Sequence, residues 1–300
     1  MPIGNSSDNI SAVVEKQAEI EDKKLGPALA IGNRQTVTDY YFKDNAEDDK
    51  VSYAYKIYVR LNAKDKIIRK INFQHSVFDA AYFNSCVFDT CDFTGCRFIG
   101  CNFHLSKFMG CKFSYAIFER CQISDEVLEE EAPQEDNLKM RFARSLRMNF
   151  QQIGDAKAVN RAISLELEAT ASYLKKSWSS KETYYRRKYA GWKRIPQFFM
   201  WLEFCFLHAI WGNGENLWKL LGSIAVIHAL IAIYDTACFG NPHDVGDYFT
   251  SLLISPGIFL GLPNVTSHVY PLSVSALITT ARLVGFALFT AILVKRFGRR

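Results

Sequence analysis

The chain has 300 residues, 49% hydrophobic and 14% aromatic, with a formal net charge of +5. That apolar content is ample for a core, and a charged fraction of 22% is neither that of a wholly membrane-embedded chain nor that of a disordered one. The charge is unevenly placed: Leu138 to Arg194 holds 14 Lys/Arg against four acids, while from Leu220 to Val294 Arg282 is the sole Lys/Arg; this argues against a small secreted domain and a plain soluble enzyme, and for a basic flank beside a bilayer-embedded end.

Met1–Asp22 is polar and contains no apolar run of the kind a secretory leader needs. Residues 1–34 are expected to form a flexible tail, with a short helix near Ala12–Glu21. Thr36-Val37-Thr38 and Val51–Leu61 are rich in β-branched and aromatic residues and predict strands leading into the next segment.

That segment has a period of five. Phe73, Phe78, Phe83, Phe88, Phe93, Phe98, Phe103, Phe108, Phe113 and Phe118 are evenly spaced, and Ile123 continues the series. Two residues before each stands a smaller one, from Ile71 and Ser76 through Cys86, Cys91, Cys96, Cys101 and Cys111 to Cys121. Residues two apart on an extended chain point to the same side, so both members of each unit face one interior. The three between them are mostly polar and form the corner. No helix has this period. The cysteines lack zinc-finger spacing, and no metal or other cofactor is expected; they predict buried free thiols in a reducing cytosol.

These residues resemble the pentapeptide-repeat proteins. The resemblance implies a right-handed, four-sided β-helix with four units per coil, so that eleven units over 71–124 give just under three coils. Phe73, Phe93 and Phe113 would then stack on one face and Phe78, Phe98 and Phe118 on the next, with Cys91 above Cys111 and Cys101 above Cys121. Some members of the family mimic DNA with an acidic rod. Here Asp79, Asp89, Asp92 and Glu119 are balanced by Arg97, Lys107, Lys112 and Arg120, so the required charge is missing.

Ser124–Asp136 is acidic, contains Pro133 and predicts a linker. Leu138–Ile153 and Ala156–Trp178 have helical periodicity broken at Gly154-Asp155, with Asp155 as N-cap of the second helix. They predict a basic helical hairpin over 125–194 that continues into Lys181–Arg194. It is either a solvated basic surface or a collar touching anionic headgroups. Its position beside the membrane argues against nucleic acid as a partner. Ile195–Trp211 is aromatic-rich and too short to span comfortably, and 195–216 predicts an interfacial helix with its closing turn.

Leu217–Phe239 and Ser275–Val294 are each long enough to cross a hydrocarbon core of roughly 30 Å. Arg186–Arg194 precedes the first, and Lys295, Arg296, Arg299 and Arg300 follow the second, whereas Gly240–Thr280 has no Lys or Arg. Both termini are therefore expected in the cytoplasm of a multi-pass protein of the cell (inner) membrane. Between the spans, 247–263 is apolar but too short to cross. A short helix followed by Gly/Pro-broken backbone suits a re-entrant pore helix and filter.

This plan resembles the two-transmembrane potassium-channel-like pore family. Tyr248-Phe249-Thr250-Ser251 looks like the start of a pore helix, Gly285 resembles an inner-helix hinge glycine, and Phe289–Arg300 looks like the cytoplasmic end of such a helix. Trp211–Leu221 resembles the segment that opens the pore module in pentapeptide-repeat channel proteins. The resemblance implies a homotetramer, a lipid bilayer around it and permeant ions through it. The filter position departs from the family: Ser255, Pro256, Gly257, Ile258, Phe259, Leu260 and Gly261 replace a run of backbone carbonyls, so strict potassium selectivity is not expected. The hydrophobic run is either a constriction that gates by dewetting or a plug. Arg282, near mid-span, either lines the cavity below it or pairs with Asp235 or snorkels. His228 is a packing or a gating residue; Gly285 and Phe289 join the pore-lining set.

The expected fold is thus a multi-domain membrane protein: a pentapeptide-repeat β-helix, a helical connector, and two transmembrane helices with a re-entrant segment. No nucleophile motif, P-loop or paired carboxylates point to an enzyme. The expected function is a homotetrameric ion channel whose cytosolic repeat domain regulates or assembles it and offers a surface to a cytosolic protein. Two alternatives stand beside it: a non-conducting membrane-anchored scaffold, and a toxic effector pore opened by a trigger such as phage infection.

Overall fold

The structure, a computed structural model, describes residues 34–47, 53–263, 265–266 and 268–297. The expected helix at Ala12–Glu21 lies outside the described residues, as do Arg299 and Arg300.

The repeat forms a β-solenoid of about four turns. Short parallel strands Thr36–Thr38, Ile57–Val59, Val77–Asp79, Arg97–Ile99 and Ile117–Glu119 stack on one face. Ala46–Glu47, Ile67–Arg69, Val87–Asp89 and Lys107–Met109 stack on a second, and Asn62–Lys64 pairs with Tyr82–Asn84 on a third. The register places Phe78 opposite Phe98 and Phe98 opposite Phe118, one full coil apart. Every Phe from Phe73 to Phe118 is buried. Phe73, Phe93 and Phe113 stack at 5.3 and 5.2 Å, and Phe78, Phe98 and Phe118 at 5.0 Å.

The small residue two before a Phe fills space, and where it is Cys or Ser it also donates a hydrogen bond to a carbonyl of the neighbouring coil. Cys96 Sγ reaches the Phe73 carbonyl at 2.9 Å and Ser106 Oγ the Phe83 carbonyl at 3.1 Å. All six repeat cysteines are free and buried, and burial pushes the Cys96 thiol up to about 12. The corners carry left-handed φ at every fifth residue, as at His75, Ser85, Gly95 and Tyr115.

The solenoid starts earlier than the Phe series. Tyr58, Ala63 and Ile68 lie in register below Phe78, Phe83 and Phe88, so 53–70 is itself coil rather than lead-in strand, and the count rises from just under three coils. The first coil is longer: Thr36 pairs with Ile57 and Ala46 with Ile68, offsets of 21 and 22 rather than 20 residues.

The last coil leaves an open sheet edge, which side chains of the following helices close. Gly110 and Cys111 N–H donate to Glu131 at 2.8 and 2.5 Å. Cys121 N–H donates to Asn149 Oδ1 at 2.6 Å, while Asn149 Nδ2 donates back to the Cys121 carbonyl at 2.8 Å. Ser145 and Gln152 accept from Phe118 and Arg120 N–H. Burial first, against these two N–H donors, leaves the Glu131 carboxyl above its ordinary value.

Glu131 closes the short helix α1 (Val127–Glu130); the other three caps belong to α2 (Asp136–Ile153), which pairs with α3 (Ala156–Ser179) as the expected hairpin. Gly154 ends α2 at φ 79°, and Asp155 Oδ1 accepts from Ala158 N–H at 2.9 Å. The continuation is broken rather than one helix: α4 (Thr183–Lys188), a single turn at Gly191–Lys193, then α5 (Arg194–Trp211). Two apolar helices long enough to cross a membrane follow, α6 (Leu217–Phe239) and α8 (Leu272–Phe297), with the shorter α7 (Val245–Leu260) between them.

Candidate functional site

α6 and α8 are almost unburied by the monomer: 17% and 11% of their most apolar stretches are covered. α5 buries no residue and exposes Phe199 and Phe206. Continuous apolar surface of this kind marks a membrane-facing or protein-contact surface.

α7 packs one stripe, Ser251, Ser255 and Phe259, against α6. The spacing of four residues puts them on one helical face. Ser251 Oγ donates to Asp235 at 2.8 Å and accepts from Thr236 Oγ1 at 3.1 Å. Ser255 Oγ lies 3.3 Å from His228 Nδ1, and the Phe259 ring meets the His228 ring edge-on at 5.1 Å. His228 lies about 10 Å along α6 from Asp235. The chain then comes back: His268 Nε2 is 2.7 Å from Asp235 Oδ1, and the Tyr270 hydroxyl donates to the same oxygen. α7 thus runs from the Asp235 level of α6 to the His228 level, and the following loop returns to Asp235 before α8 begins. At about 24 Å, α7 is shorter than a hydrocarbon core.

Pro256 does not break α7, contrary to the sequence expectation. Proline removes the N–H that would bond the carbonyl four residues earlier. That carbonyl belongs to Leu252, and Ser255 Oγ donates to it at 2.8 Å. The helix therefore runs to Leu260 and ends at Gly261, with φ 74°. The expected filter residues divide accordingly. Ser255 and Phe259 are buried against α6, Gly257 and Ile258 are half-buried, and Pro256, Leu260 and Gly261 are exposed.

Arg282 is not paired with Asp235, whose oxygens are taken by His268, Tyr270 and Ser251. Its Nη1 donates instead to the Leu260 carbonyl at 2.7 Å. A guanidinium at the negative end of a helix dipole is electrostatically placed. It fills the space beside Gly261, where a Cβ would sit 2.2 Å from Nη1. Gly285 is half-buried, 3.9 Å from the Phe259 ring by its missing Cβ, and Phe289 is half-buried on α8. The Asp235–His268–Tyr270 group was missed in the sequence because its members lie 33 and 35 residues apart.

The connector joins the two halves. Lys188 Nζ lies 5.4–5.5 Å from the rings of Tyr173, Tyr184 and Tyr189 and donates to the Tyr173 hydroxyl at 2.9 Å, so this lysine is engaged within the connector. Burial raises the Asp136 carboxyl, but Lys176, Ser172 and Tyr185 outweigh it and hold the group below its ordinary value. Trp178 packs on Phe198 and Trp201 of α5. Trp192, 86% exposed, stands beside Lys193 and Arg194.

A family model described as pentapeptide repeats matches residues 86–125, in eight copies. The chain carries pentapeptide repeats. No curated protein matches it. Two solved structures to which the chain is similar are trypsin-treated variants of QnrB1, a plasmid-mediated fluoroquinolone resistance protein. They are 13% and 15% identical, with TM-scores of 0.10 and 0.11. The matches cover 31% and 30% of this chain and 62% and 54% of those chains, under two thirds of their length.

Proposed function

We propose that the protein is a homotetrameric ion channel of the cell membrane, with both termini cytoplasmic and the pentapeptide-repeat solenoid as a cytosolic regulatory or assembly element. One observation carries this reading: the segment between the apolar helices leaves the Asp235 level of α6, runs to the His228 level and returns to Asp235, and this out-and-back path supports a re-entrant segment. A polar seam, Asp235–Ser251–Thr236 and Ser255–His228, holds it to α6 with its polar groups paired, as non-spanning backbone at membrane depth requires. Two spans cannot enclose a pore alone, so copies must supply the remaining wall. Arg282 sets the charge beside the α7 C-terminus, and strict potassium selectivity is not expected. Solenoid and hairpin share one capped edge, so a cytosolic protein bound to the solenoid would move the hairpin and, through Trp178, α5.

A second reading is a non-conducting, membrane-anchored scaffold. The helical state of Ser255–Leu260 favours it, since no extended carbonyl run faces outward there. Planar-bilayer recording of the purified chain with ion substitution separates the two. Discrete unitary currents support the channel; silence at every voltage and tension supports the scaffold.

A further inference from the structure

Lys181–Arg194 carries six Lys/Arg and one acid, Glu182. The fold divides those charges into ones it uses and ones it leaves free. Lys188 is held among three tyrosines. Arg186 keeps Nε and Nη2 out of solvent without a hydrogen-bond partner, so its charge adds to the local field. Lys181, Arg187, Lys193 and Arg194 are exposed. Among the described residues none of these four is in an ion pair. Arg194 Nε donates to the Tyr189 carbonyl at 3.4 Å, and the other three side chains make no hydrogen bond.

An apolar stripe begins where these bases end. Ile195, Phe199, Leu202 and Phe206 follow one another at four, three and four residues, the spacing of one helical face, and each is 46% to 62% exposed. Trp192, beside Lys193 and Arg194, joins an apolar ring to a polar N–H, the character that places indoles at the boundary of hydrocarbon and water. Glu203, the one acid of α5, lies about 13.5 Å along the helix from Arg194, beyond the screening length of about 8 Å at physiological salt, and does not offset the bases. The other end of α5 is tied to α6: Ser223 Oγ donates to the Ile210 carbonyl at 2.9 Å. A bilayer around α6 therefore meets both the stripe and the bases, and its anionic headgroups complement the latter.

We propose that Lys181–Arg194 and the exposed stripe of α5 form a docking surface for the anionic phospholipids of the cytoplasmic leaflet. Lys181, Arg187, Lys193 and Arg194 meet the headgroups, Trp192 sits at the interface, and the stripe meets the acyl chains. Trp178 packs on Phe198 and Trp201, so lipid held by α5 also holds the hairpin against the membrane. The inference rests on the membrane reading above and does not require conduction.

The test places the full chain in nanodiscs of equal parts phosphatidylcholine and phosphatidylglycerol, with acyl-chain bromines that quench indole carried by one lipid or by the other. Subtraction against Trp192→Phe and Trp218→Phe isolates the emission of Trp192 and of Trp218, which is 81% exposed at the start of α6. Bromine on phosphatidylglycerol should quench Trp192 about twofold or more above bromine on phosphatidylcholine. Raising salt to about 0.5 M should erase that excess in the unaltered chain by screening the bases. Lys181→Gln/Arg187→Gln/Lys193→Gln removes three exposed charges that make no internal contact, and should erase most of it. Equal quenching by the two lipids, or an excess undiminished by salt or by the triple variant, overturns the surface. Quenching of Trp192 by neither lipid also overturns it and leaves the stripe to another copy of the chain. Trp218 separates this inference from the membrane reading. Trp218 quenched with no headgroup preference at Trp192 refutes the surface alone; a preference at Trp192 with Trp218 unquenched refutes the spanning helices alone; neither indole quenched refutes both.

Discussion

Replacing Arg282 with leucine separates a structural arginine from one that governs permeation. The guanidinium donates to the Leu260 carbonyl at 2.7 Å, a charge-assisted bond worth about 1.5–3 kcal/mol. Against this, an arginine at mid-span costs roughly 2.5–3.5 kcal/mol on insertion scales, whereas leucine is favourable by about 0.3–0.6. The terms nearly cancel, and Arg282→Leu should change stability by less than about 2 kcal/mol. Permeation should respond far more. The α7 C-terminus carries about −0.5 of an elementary charge, so each copy moves from a net charge of about +0.5 to about −0.5. The reversal potential of purified protein under asymmetric KCl should shift toward the cation side, with Arg282→Leu more cation-preferring than wild type. Arg282→Gln keeps a donor and should lose the charge with little loss of fold. Destabilisation well beyond 3 kcal/mol with an unchanged reversal potential would refute the reasoning and leave Arg282 as a helix cap only.

Asn149→Leu orphans both the N–H and the carbonyl of Cys121, and thermal unfolding should register a loss of about 2–4 kcal/mol, more than a surface asparagine gives. Gly95→Ala puts a Cβ 2.5 Å from His75 Nδ1 and should destabilise the solenoid. The left-handed corner costs about 1 kcal/mol, and Tyr115 tolerates it in the same column, so the His75→Ala/Gly95→Ala double variant should recover the remainder in a double-mutant cycle. Asp136 sits below its ordinary value of 3.8, so its contribution is present above that pH and lost as pH falls through the lower folded value. Denaturant melts should show stability dropping below about pH 4, with a shallower drop in Asp136→Asn.

Much of the fold could be read from residue spacing. Phe73 to Phe118 kept its period because each coil contributes four identical core positions, and a phenylalanine stack tolerates few other residues. The first coils hid from the same reasoning for two physical reasons. Their centres are Tyr58, Ala63 and Ile68, which are core residues only by register with the coil above. The first coil also carries one or two extra residues, which destroys the period while leaving the strands paired. The apolar helices were legible from hydropathy, and the Asp155 cap from its place after Gly154. Pro256 misled because its orphaned carbonyl is satisfied by a hydroxyl one residue away, a compensation no periodicity reveals. The partner of Arg282 was illegible because a backbone carbonyl leaves no mark in the sequence.

The channel account stands on how copies of the chain arrange around α7. Imaging of the purified full chain in lipid nanodiscs measures this directly. Fourfold particles should appear, with α7 dipping below the membrane surface and the four Gly261 ends turned toward the common axis. Single copies, or α7 lying outside the bilayer away from any axis, would contradict it.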